Sequence, residues 1–307
     1  MIDLARRLSM PGITCSRPDR SGRHTTFGIG GMIAMSVQAT TRPALVEALL
    51  ILKNEKIPHV MIGAGSNTVF ADTAPDLVLV INRTRGIRRV DSTRIVVQSG
   101  EPNLSLMAWC ARKGFASLEF LAGIPGSVGG AVAVNAGAFG QDMAAAFSHA
   151  VILDGSGRQR SIGADECGFR YRDSILKRGD SVLLEITLNG QSDDPQRIRQ
   201  RMRSHFLHRR KNHPDPNART AGCFFKNPRR DPSASAGRLI DSAGLRGWSR
   251  NGLEVSSKHA NFIVNTGDAG MAELEAFVRH IIETVEKKHG IRLEREVLFV
   301  AADGRRY

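Results

Sequence analysis

The chain has 307 residues, enough for two or three domains, and its 41% hydrophobic and 24% charged residues support a packed core. This composition excludes a disordered or fibrous chain. Lys and Arg outnumber Asp and Glu by 43 to 30, a net charge of +13, with clusters at Arg83–Arg89, Arg197–Lys211 and Arg229–Arg230. Such a surplus fits either an ordinary solvated surface or a field that attracts phosphorylated ligands.

Several classes of protein are excluded by what the sequence lacks. No apolar run approaches the ~18 residues of a membrane helix, and two arginines interrupt Leu4–Leu8, so no secretory segment is expected. The four cysteines stand far apart (Cys15, Cys110, Cys167, Cys223), which predicts no zinc site and no disulfide. Zinc-finger, RNP-type and basic-region motifs are also missing. We therefore expect a cytoplasmic protein with no metal, no membrane and no nucleic-acid partner, and a basic nucleic-acid-binding module stays as a minority alternative.

The first half of the chain reads as short strands and helices. A helix is predicted over Arg42–Lys56, with Pro43 in its first turn, and Pro58 separates it from a strand over His59–Ile62. Asn103 is expected to cap a helix that runs to Arg112 and ends at Gly114. Further strands are predicted at Leu77–Ile81, Arg94–Gln98, Ala150–Leu153 and Val182–Leu188.

A domain boundary is predicted at the polar turn Gln191–Pro195, which precedes a basic helix running from about Pro195 to Arg209. The remaining predicted elements are a loop over Asn212–Asn217, a buried strand over Ala260–Val264, a helix over Met271–His289 that Gly290 ends, and a final strand over Ile291–Val300. Together the two halves predict an α+β fold.

Clustered glycines are the informative feature of the N-terminal half. The chain has 31 glycines, concentrated at Gly28–Gly31, Gly63–Gly65 and Gly123–Gly130. The second cluster follows a predicted strand, but Thr68 stands where the dinucleotide-binding motif needs a third glycine, and no helix signal follows. Each loop alone is more typical of a tight turn. Together, with polar Asn67 and Asn135, the two later loops favour a large phosphorylated cofactor held by backbone N–H groups.

A set of segments in fixed order carries a resemblance to a known family. The segments are His24–Gly31, Gly63–Asn67, Leu118–Ala131 with Asn135–Ala138, Phe169–Arg172, Ala221–Pro228, Lys258–Asn265 and Leu293–Val297. In this order they resemble the UDP-N-acetylenolpyruvoylglucosamine reductases, the MurB family, and the likeness runs roughly from residue 24 to residue 300. The lack of a long insertion after Arg172 resembles the shorter, second type of that family.

The resemblance implies an architecture and a reaction. It implies an N-terminal extension over 1–20 and a PCMH-type FAD-binding domain over 21–190, made of two α+β subdomains that split near 80. A C-terminal α+β substrate-binding domain then covers 195–307. It also implies that a non-covalently bound FAD and the hydride donor NADPH reduce UDP-N-acetylglucosamine enolpyruvate during peptidoglycan precursor synthesis, in a chain expected to be monomeric. A diverged flavoprotein on the same fold, an oxidase or a reductase of another substrate, stays open as the alternative.

Binding residues follow from the same resemblance, position by position. Thr25, Thr26 and Gly28–Gly31 are expected on the flavin side, although His24 and Gly28 depart from the commoner residues. The implied cofactor contacts are Gly63, Ala64, Gly65, Ser66, Asn67, Gly123, Ile124, Pro125, Gly126, Ser127, Gly129, Gly130, Asn135, Ala136 and Gly137. The implied substrate contacts are Tyr171, Lys226, Asn227 and, from approximate spacing, Lys211.

Three residues are implied to be catalytic. Arg172 matches the family's arginine and suits the grip of a carboxylate on which charge develops. Glu296 matches the family's glutamate, which orients that guanidinium or stabilises an enol while holding a proton. Cys223 stands where most members have the serine that donates a proton to C2, and a thiol is the stronger acid. Without the resemblance, Arg172 and Glu296 would be interpreted as surface charges and Cys223 as a small apolar residue.

Overall fold

The computed structural model describes residues 2–228 and 234–307, so the predicted basic pair Arg229–Arg230 lies outside the described residues. The chain forms two compact units. The first unit comprises 1–17, 35–64 and 78–208, and the second comprises 18–34, 65–77 and 209–307. Each unit therefore draws on three separate stretches of sequence. The three-part domain division given above stays a prediction about folding domains.

Helices and strands are mixed along the described chain. The helices are α1 Ile2–Arg7, α2 Arg42–Asn54, α3 Asn103–Lys113, α4 Val128–Ala133, α5 Met143–Ala146, α6 Ala164–Cys167, α7 Pro195–Asn212, α8 Ala236–Ser242 and α9 Met271–His289. The strands are β1 Ile13–Ser16, β2 Asp19–Arg20, β3 Met32–Ala39, β4 His59–Ile62, β5 Thr68–Phe70, β6 Thr73–Asn82, β7 Ile87–Arg89, β8 Arg94–Gln98, β9 Phe115–Ala116, β10 Gly137–Ala138, β11 Gln141–Asp142, β12 Phe147–Leu153, β13 Gln159–Gly163, β14 Val182–Asn189, β15 Gln191–Ser192, β16 Thr220–Cys223, β17 Ser249–Arg250, β18 Leu253–Val255, β19 Phe262–Asn265 and β20 Leu298–Val300. The mixture confirms the predicted α+β class.

The first unit contains a sheet whose strand order includes β1, β3, β6 and β4. Strand β4 runs parallel to β6, with Ile62 opposite Ile81. Helix α2 begins at the N-cap Thr41, whose hydroxyl accepts a hydrogen bond from the Ala44 amide, and it buries an apolar face that includes Leu45. The predicted helix therefore forms, two residues shorter at its C-terminal end.

The second sheet of the first unit is antiparallel, in the order β13-β12-β14-β8-β7. Its inner face packs with α3 and α4 around a core that includes Leu106, Val128 and Ile186, each fully buried. Cys110 and Cys167 belong to this core, and Cys15 packs against the core under the first sheet. The interpretation of these three thiols as small apolar residues is confirmed.

The second unit is built on the antiparallel sheet β16-β19-β18-β17 and the parallel pair β20-β5. Helix α9 packs Phe277 and Ile281 into its core and ends at Gly290, which has a left-handed φ of 66°. The Asp72 carboxylate accepts a hydrogen bond from the Met271 amide at the start of this helix, at 2.7 Å. The helix predicted over Met271–His289 is thereby confirmed, with a carboxylate at its positive end.

Three local predictions were wrong. Pro102, not Asn103, is the N-cap of α3, and the Asn103 side chain donates to the Ile124 carbonyl. Gln191–Ser192 is a strand paired with β9 rather than a polar turn. Of the strand predicted over Ile291–Val300, only Leu298–Val300 forms a strand. The reason is a change of backbone partner, because the Glu296 amide donates to the Phe224 carbonyl and the Leu298 amide donates to the Asn67 carbonyl.

Candidate functional site

The two glycine-rich loops expected to hold a cofactor meet inside the first unit. Gly63 directly follows β4, and a Cβ at this position would collide with the Ser127 hydroxyl oxygen. Ser127 is buried and caps α4 by accepting a hydrogen bond from the Gly130 amide. Glycine at position 63 therefore lets backbone from one loop approach the start of the other, as a backbone cradle for a phosphate requires.

Not every backbone amide of the second loop is available to a ligand. The Val128 amide donates to the Glu101 carbonyl and the Gly129 amide to the Ser99 carbonyl, both at 2.8 Å. A Cβ at Gly129 would also lie 2.8 Å from the Ser99 carbonyl oxygen. Val128 and Gly129 thus fasten the loop to the segment that directly follows β8. A cofactor contact from Gly129 would therefore have to come from its Cα or its carbonyl group.

Asn135 has a role inside the protein that the sequence did not reveal. It is buried and has a left-handed φ of 45°. Its side-chain nitrogen donates to the Arg170 carbonyl at 3.0 Å, and its side-chain oxygen accepts from the Ala144 amide at 2.9 Å. The amide group therefore links the end of the glycine block to the Phe169–Arg172 segment, which carries the predicted catalytic arginine.

Arg172 lies in a tight backbone reversal. Arg170 and Asp173 exchange both of their backbone hydrogen bonds, and Arg172 between them has a φ of 55°. Positive φ is uncommon for such a residue and costs conformational energy. The half-buried guanidinium donates to the Gly137 carbonyl at 2.5 Å and lies 5.5 Å from the ring centroid of Tyr171. The strained turn thus holds Arg172 against the end of the predicted cofactor loop.

In the second unit, the rest of the first glycine loop is joined to the Glu296 segment. Gly65 has a φ of 65°, and a Cβ there would collide with the His24 carbonyl oxygen. Two residues on, the Asn67 side chain donates to the Glu296 carbonyl at 3.3 Å, and the Asn67 carbonyl accepts from the Leu298 amide at 3.0 Å. The predicted cofactor residue Asn67 is therefore a direct neighbour of the predicted catalytic glutamate.

Cys223 and Glu296 are brought together within the second unit. Cys223 is the last residue of β16 and pairs with Phe262 of β19. The next residue, Phe224, accepts a hydrogen bond from the Glu296 amide at 2.9 Å, and both Cys223 and Glu296 are half-buried. The thiol and the carboxyl thus come from adjacent backbone segments, although 72 residues lie between them in the sequence.

Two predicted substrate residues of the second unit, Lys226 and Asn227, are already hydrogen-bonded within the protein. The Lys226 ammonium pairs with Glu294 at 2.5 Å, and the Glu294 side chain is 71% exposed. The Asn227 side-chain oxygen accepts from the Ala236 amide at the start of α8, at 3.0 Å. Lys211 is exposed near the end of α7. A ligand phosphate could compete with the solvated Glu294 for Lys226.

The glycines of the Gly28–Gly31 cluster have close protein neighbours. A Cβ at Gly31 would collide with the Asp72 carbonyl oxygen, and one at Gly30 with the Ser21 hydroxyl oxygen. Only Gly28 has looser surroundings, 3.3 Å from the Arg219 side chain. Packing within the second unit therefore accounts for Gly30 and Gly31 without any cofactor.

Burial separates the other thiols from acid–base chemistry. Desolvation raises the pKa of Cys110 and Cys15, and it raises the pKa of Cys167 to about 11. In the second unit, burial lowers the pKa of His259, with the positive charge of Arg246 acting in the same direction. The Asn261 amide donates to His259 Nδ1 at 3.3 Å, which fixes that nitrogen as an acceptor.

Asn261 is a buried residue for which the sequence predicted no role. The amide lies immediately before β19 and is 3% exposed. The available signal was a polar side chain inside a segment predicted as a buried strand, since a buried amide must be hydrogen-bonded.

Comparison with known proteins decides the family. Residues 33–162 match the FAD binding domain family, and residues 215–300 match the C-terminal domain of UDP-N-acetylenolpyruvoylglucosamine reductase. The reductase of Halalkalibacterium halodurans is 34% identical over 275 residues, which is 89% of this chain and 90% of that protein. The chain belongs to the MurB family. Its members are oxidoreductases, and the predicted family is confirmed.

Other MurB proteins agree with this assignment. The reductase of Chlamydia abortus is 35% identical and covers 91% of this chain and 92% of its own length. The crystal structure of MurB from Thermus caldophilus matches with a TM-score of 0.75 at 31% identity, covering 94% of this chain and 98% of that one. The fold expected from the resemblance is therefore confirmed over nearly the whole chain.

The family matches divide the predicted site residues. The cofactor contacts predicted from Gly63 to Gly137 fall inside the FAD-binding match, and Cys223, Lys226, Asn227 and Glu296 fall inside the MurB C-terminal match. The residues expected on the flavin side before them, Thr25, Thr26 and Gly28–Gly31, lie outside both matches. Tyr171, Arg172 and Lys211 lie outside both matches. The roles of individual residues stay predictions.

Proposed function

We propose that this MurB-family chain catalyses the NADPH-dependent reduction of UDP-N-acetylglucosamine enolpyruvate to UDP-N-acetylmuramate, through FAD, during peptidoglycan precursor synthesis. The observation that carries the proposal is the hydrogen bond between Glu296 and Phe224, which puts a carboxyl and the Cys223 thiol on neighbouring backbone segments. Membership of the family supports the choice of substrate.

The cofactor residues proposed here are those of the two glycine loops, centred on Gly63 and on Gly126–Gly130. Their close approach at Ser127 fits a backbone cradle for a pyrophosphate. The binding of FAD is proposed to be non-covalent. When bound, FAD supplies the hydride that NADPH delivers and that no amino-acid side chain can provide. The protein must then stabilise developing charge and deliver a proton.

Arg172 is proposed to stabilise the charge that develops on the substrate carboxylate. A guanidinium stays protonated and can form paired hydrogen bonds to a carboxylate, which strengthen as negative charge accumulates. The bond from its guanidinium to the Gly137 carbonyl and the constrained turn hold the side chain in place before substrate arrives. Such preorganisation avoids the cost of ordering a long side chain during the reaction.

Cys223 is proposed to donate the proton that reaches C2 of the substrate. A thiol has an ordinary pKa near ~8.5 and so is largely protonated at neutral pH, while remaining acidic enough to give its proton to a carbanion. Glu296 is proposed to stabilise the enol or to orient Arg172. Arg172 belongs to the first unit, and Cys223 and Glu296 belong to the second.

Substrate contacts are proposed for Tyr171, Lys211, Lys226 and Asn227. Lys226 carries the strongest argument, because its counter-ion Glu294 is mostly solvated and a diphosphate can displace it. We further propose that the enzyme works as a cytoplasmic monomer and that its other partner is NADPH rather than nucleic acid. No helix within 2–228 or 234–307 has the length and apolar character needed to cross a membrane.

The test is an absorbance spectrum of the purified protein, followed by addition of NADPH under nitrogen. A flavin spectrum that NADPH bleaches is expected. A colourless protein that also fails to bind added FAD would contradict the proposal. A flavin that alcohols or sugars reduce, and that oxygen rather than the UDP-sugar reoxidises, would instead support the diverged oxidase.

A further inference from the structure

One buried residue, Asn261, holds the backbone segment that follows Cys223. The Asn261 side-chain oxygen accepts from the Phe225 amide at 2.9 Å, and its side-chain nitrogen donates to the Phe225 carbonyl at 2.8 Å. Its own carbonyl accepts from the Phe224 amide at 2.7 Å. Three hydrogen bonds with one residue therefore fix the backbone of Phe224 and Phe225, the two residues that follow Cys223.

The same network continues to the carboxyl side. Asn261 holds Phe224, and the Phe224 carbonyl accepts a hydrogen bond from the Glu296 amide at 2.9 Å. The Glu296 carbonyl in turn accepts from Asn67 at 3.3 Å. The Glu296 backbone is thus held at its amide and at its carbonyl. The partner of the amide, Phe224, belongs to the segment that Asn261 fixes.

We propose that Asn261 is a positioning residue that sets the placement of the Cys223 thiol relative to the Glu296 carboxyl. The inference rests on the proposed function and goes beyond it by assigning a determinant of the geometry. An asparagine suits this role because its amide offers one donor and one acceptor, which match the amide and carbonyl of Phe225. Because it is buried, water cannot replace either bond when the side chain is shortened.

A matched control lies four residues away on β19. Asn265 is also 3% exposed, and its side chain donates to the Phe27 carbonyl at 3.1 Å and accepts from the Gly267 amide at 3.3 Å. It has the same chemistry, burial and number of side-chain bonds, but none of those bonds reaches Phe224, Phe225 or Glu296. A purely structural role for Asn261 predicts that both asparagines behave alike.

The experiment compares Asn261→Ser with Asn265→Ser in the full-length FAD-bound enzyme. Both changes are neutral, so neither places a new charge near the thiol. We expect Asn261→Ser to lower kcat for the enolpyruvyl substrate about tenfold or more, since small displacements of reacting groups cost large factors in rate. The KM for NADPH and the rate of flavin reduction are expected to stay unchanged.

A second readout reports the thiol directly. The pH dependence of Cys223 alkylation is expected to shift in Asn261→Ser and to match wild type in Asn265→Ser. If Asn261→Ser does not fold, Asn261→Gln, which keeps the amide but displaces it, is judged by the same two measurements.

The outcomes separate the two claims. Equal kcat values and equal alkylation profiles for the two variants would overturn the positioning role while leaving the reductase assignment intact. A wild-type enzyme that binds FAD but does not reduce the UDP-sugar would overturn the proposed function and, with it, this inference.

Discussion

At the scale of single residues, Cys223 differs from the other three thiols in its surroundings. The other three thiols have pKa values raised by burial and pack as apolar side chains. Cys223 instead ends a strand beside the Glu296 segment. A thiol-directed reagent used near neutral pH should therefore modify Cys223 in preference to the others.

Replacing the thiol tests its role as the proton donor. We expect Cys223→Ala to lower kcat by about 10²–10⁴-fold, the usual contribution of a general acid, while NADPH reduces the flavin at the wild-type rate. Cys223→Ser, which keeps a hydroxyl proton, should fall between wild type and Cys223→Ala. Stopped-flow absorbance separates the two half-reactions. Full turnover in Cys223→Ala would rule out the donor role.

The contact between the glycine loops gives a second prediction. Gly63→Ala places a methyl group against the Ser127 hydroxyl, and we expect a loss of FAD and of about 1–3 kcal/mol in the free energy of unfolding. Gly163→Ala is the control, because a Cβ at that position has no heavy atom within 4 Å. Flavin content and thermal melting are the measurements. Wild-type FAD content in Gly63→Ala would show that the cradle lies elsewhere.

At the scale of elements, the loop between β18 and β19 carries a histidine whose burial makes stability depend on pH. Burial lowers the pKa of His259 below its ordinary value of 6.5. The unfolded state therefore binds a proton at His259 more tightly than the folded state does. The stability that neutral His259 contributes is complete above pH 6.5 and is lost as the pH falls below that value.

The corresponding variant is His259→Gln. Between about pH 7.5 and about pH 5.5 we expect the melting temperature of wild type to fall more steeply than that of His259→Gln. His149→Gln, which changes an exposed histidine, should follow the wild-type slope. Parallel melting curves for wild type and His259→Gln across this range would contradict the assignment.

Helices and strands were predicted correctly where the sequence marks their ends with a residue such as a capping glycine. Helix α9 ends at Gly290 as expected, because a left-handed glycine cap is visible in the sequence. The last strand was predicted too long because the apolar pattern of Ile291–Val300 does not show where the chain changes its backbone partner. Asn103 resembled a cap, but tertiary contact with Ile124 placed it inside the helix.

At the scale of the whole molecule, the site could be predicted only in part. The glycine clusters alone indicated a phosphate cradle, and the contact between Gly63 and Ser127 agrees with it. Glu296 looked like one charge in an exposed run, and only the family resemblance selected it. Its neighbour in space, Phe224, lies far away in sequence, and no periodicity encodes such a contact.

The net charge of +13 gives a prediction for the whole molecule. NADPH and the UDP-sugar are both anionic, so the positive field should raise their encounter rates at low salt. Between about 50 and about 500 mM KCl, we expect both KM values to rise while kcat changes little, because mobile ions screen the field. Steady-state kinetics in KCl test this expectation. If the KM values do not change with salt, the excess of Lys and Arg belongs only to the solvated surface and does not attract these ligands.

The most direct test of the reductase assignment is the oxidative half-reaction. The enzyme is reduced with one equivalent of NADPH without oxygen and then mixed with UDP-N-acetylglucosamine enolpyruvate. The account predicts that flavin absorbance returns within the time of a single turnover and that mass spectrometry finds the UDP-sugar heavier by two hydrogen atoms. A flavin that stays reduced with this substrate and is reoxidised only when air is admitted would contradict it.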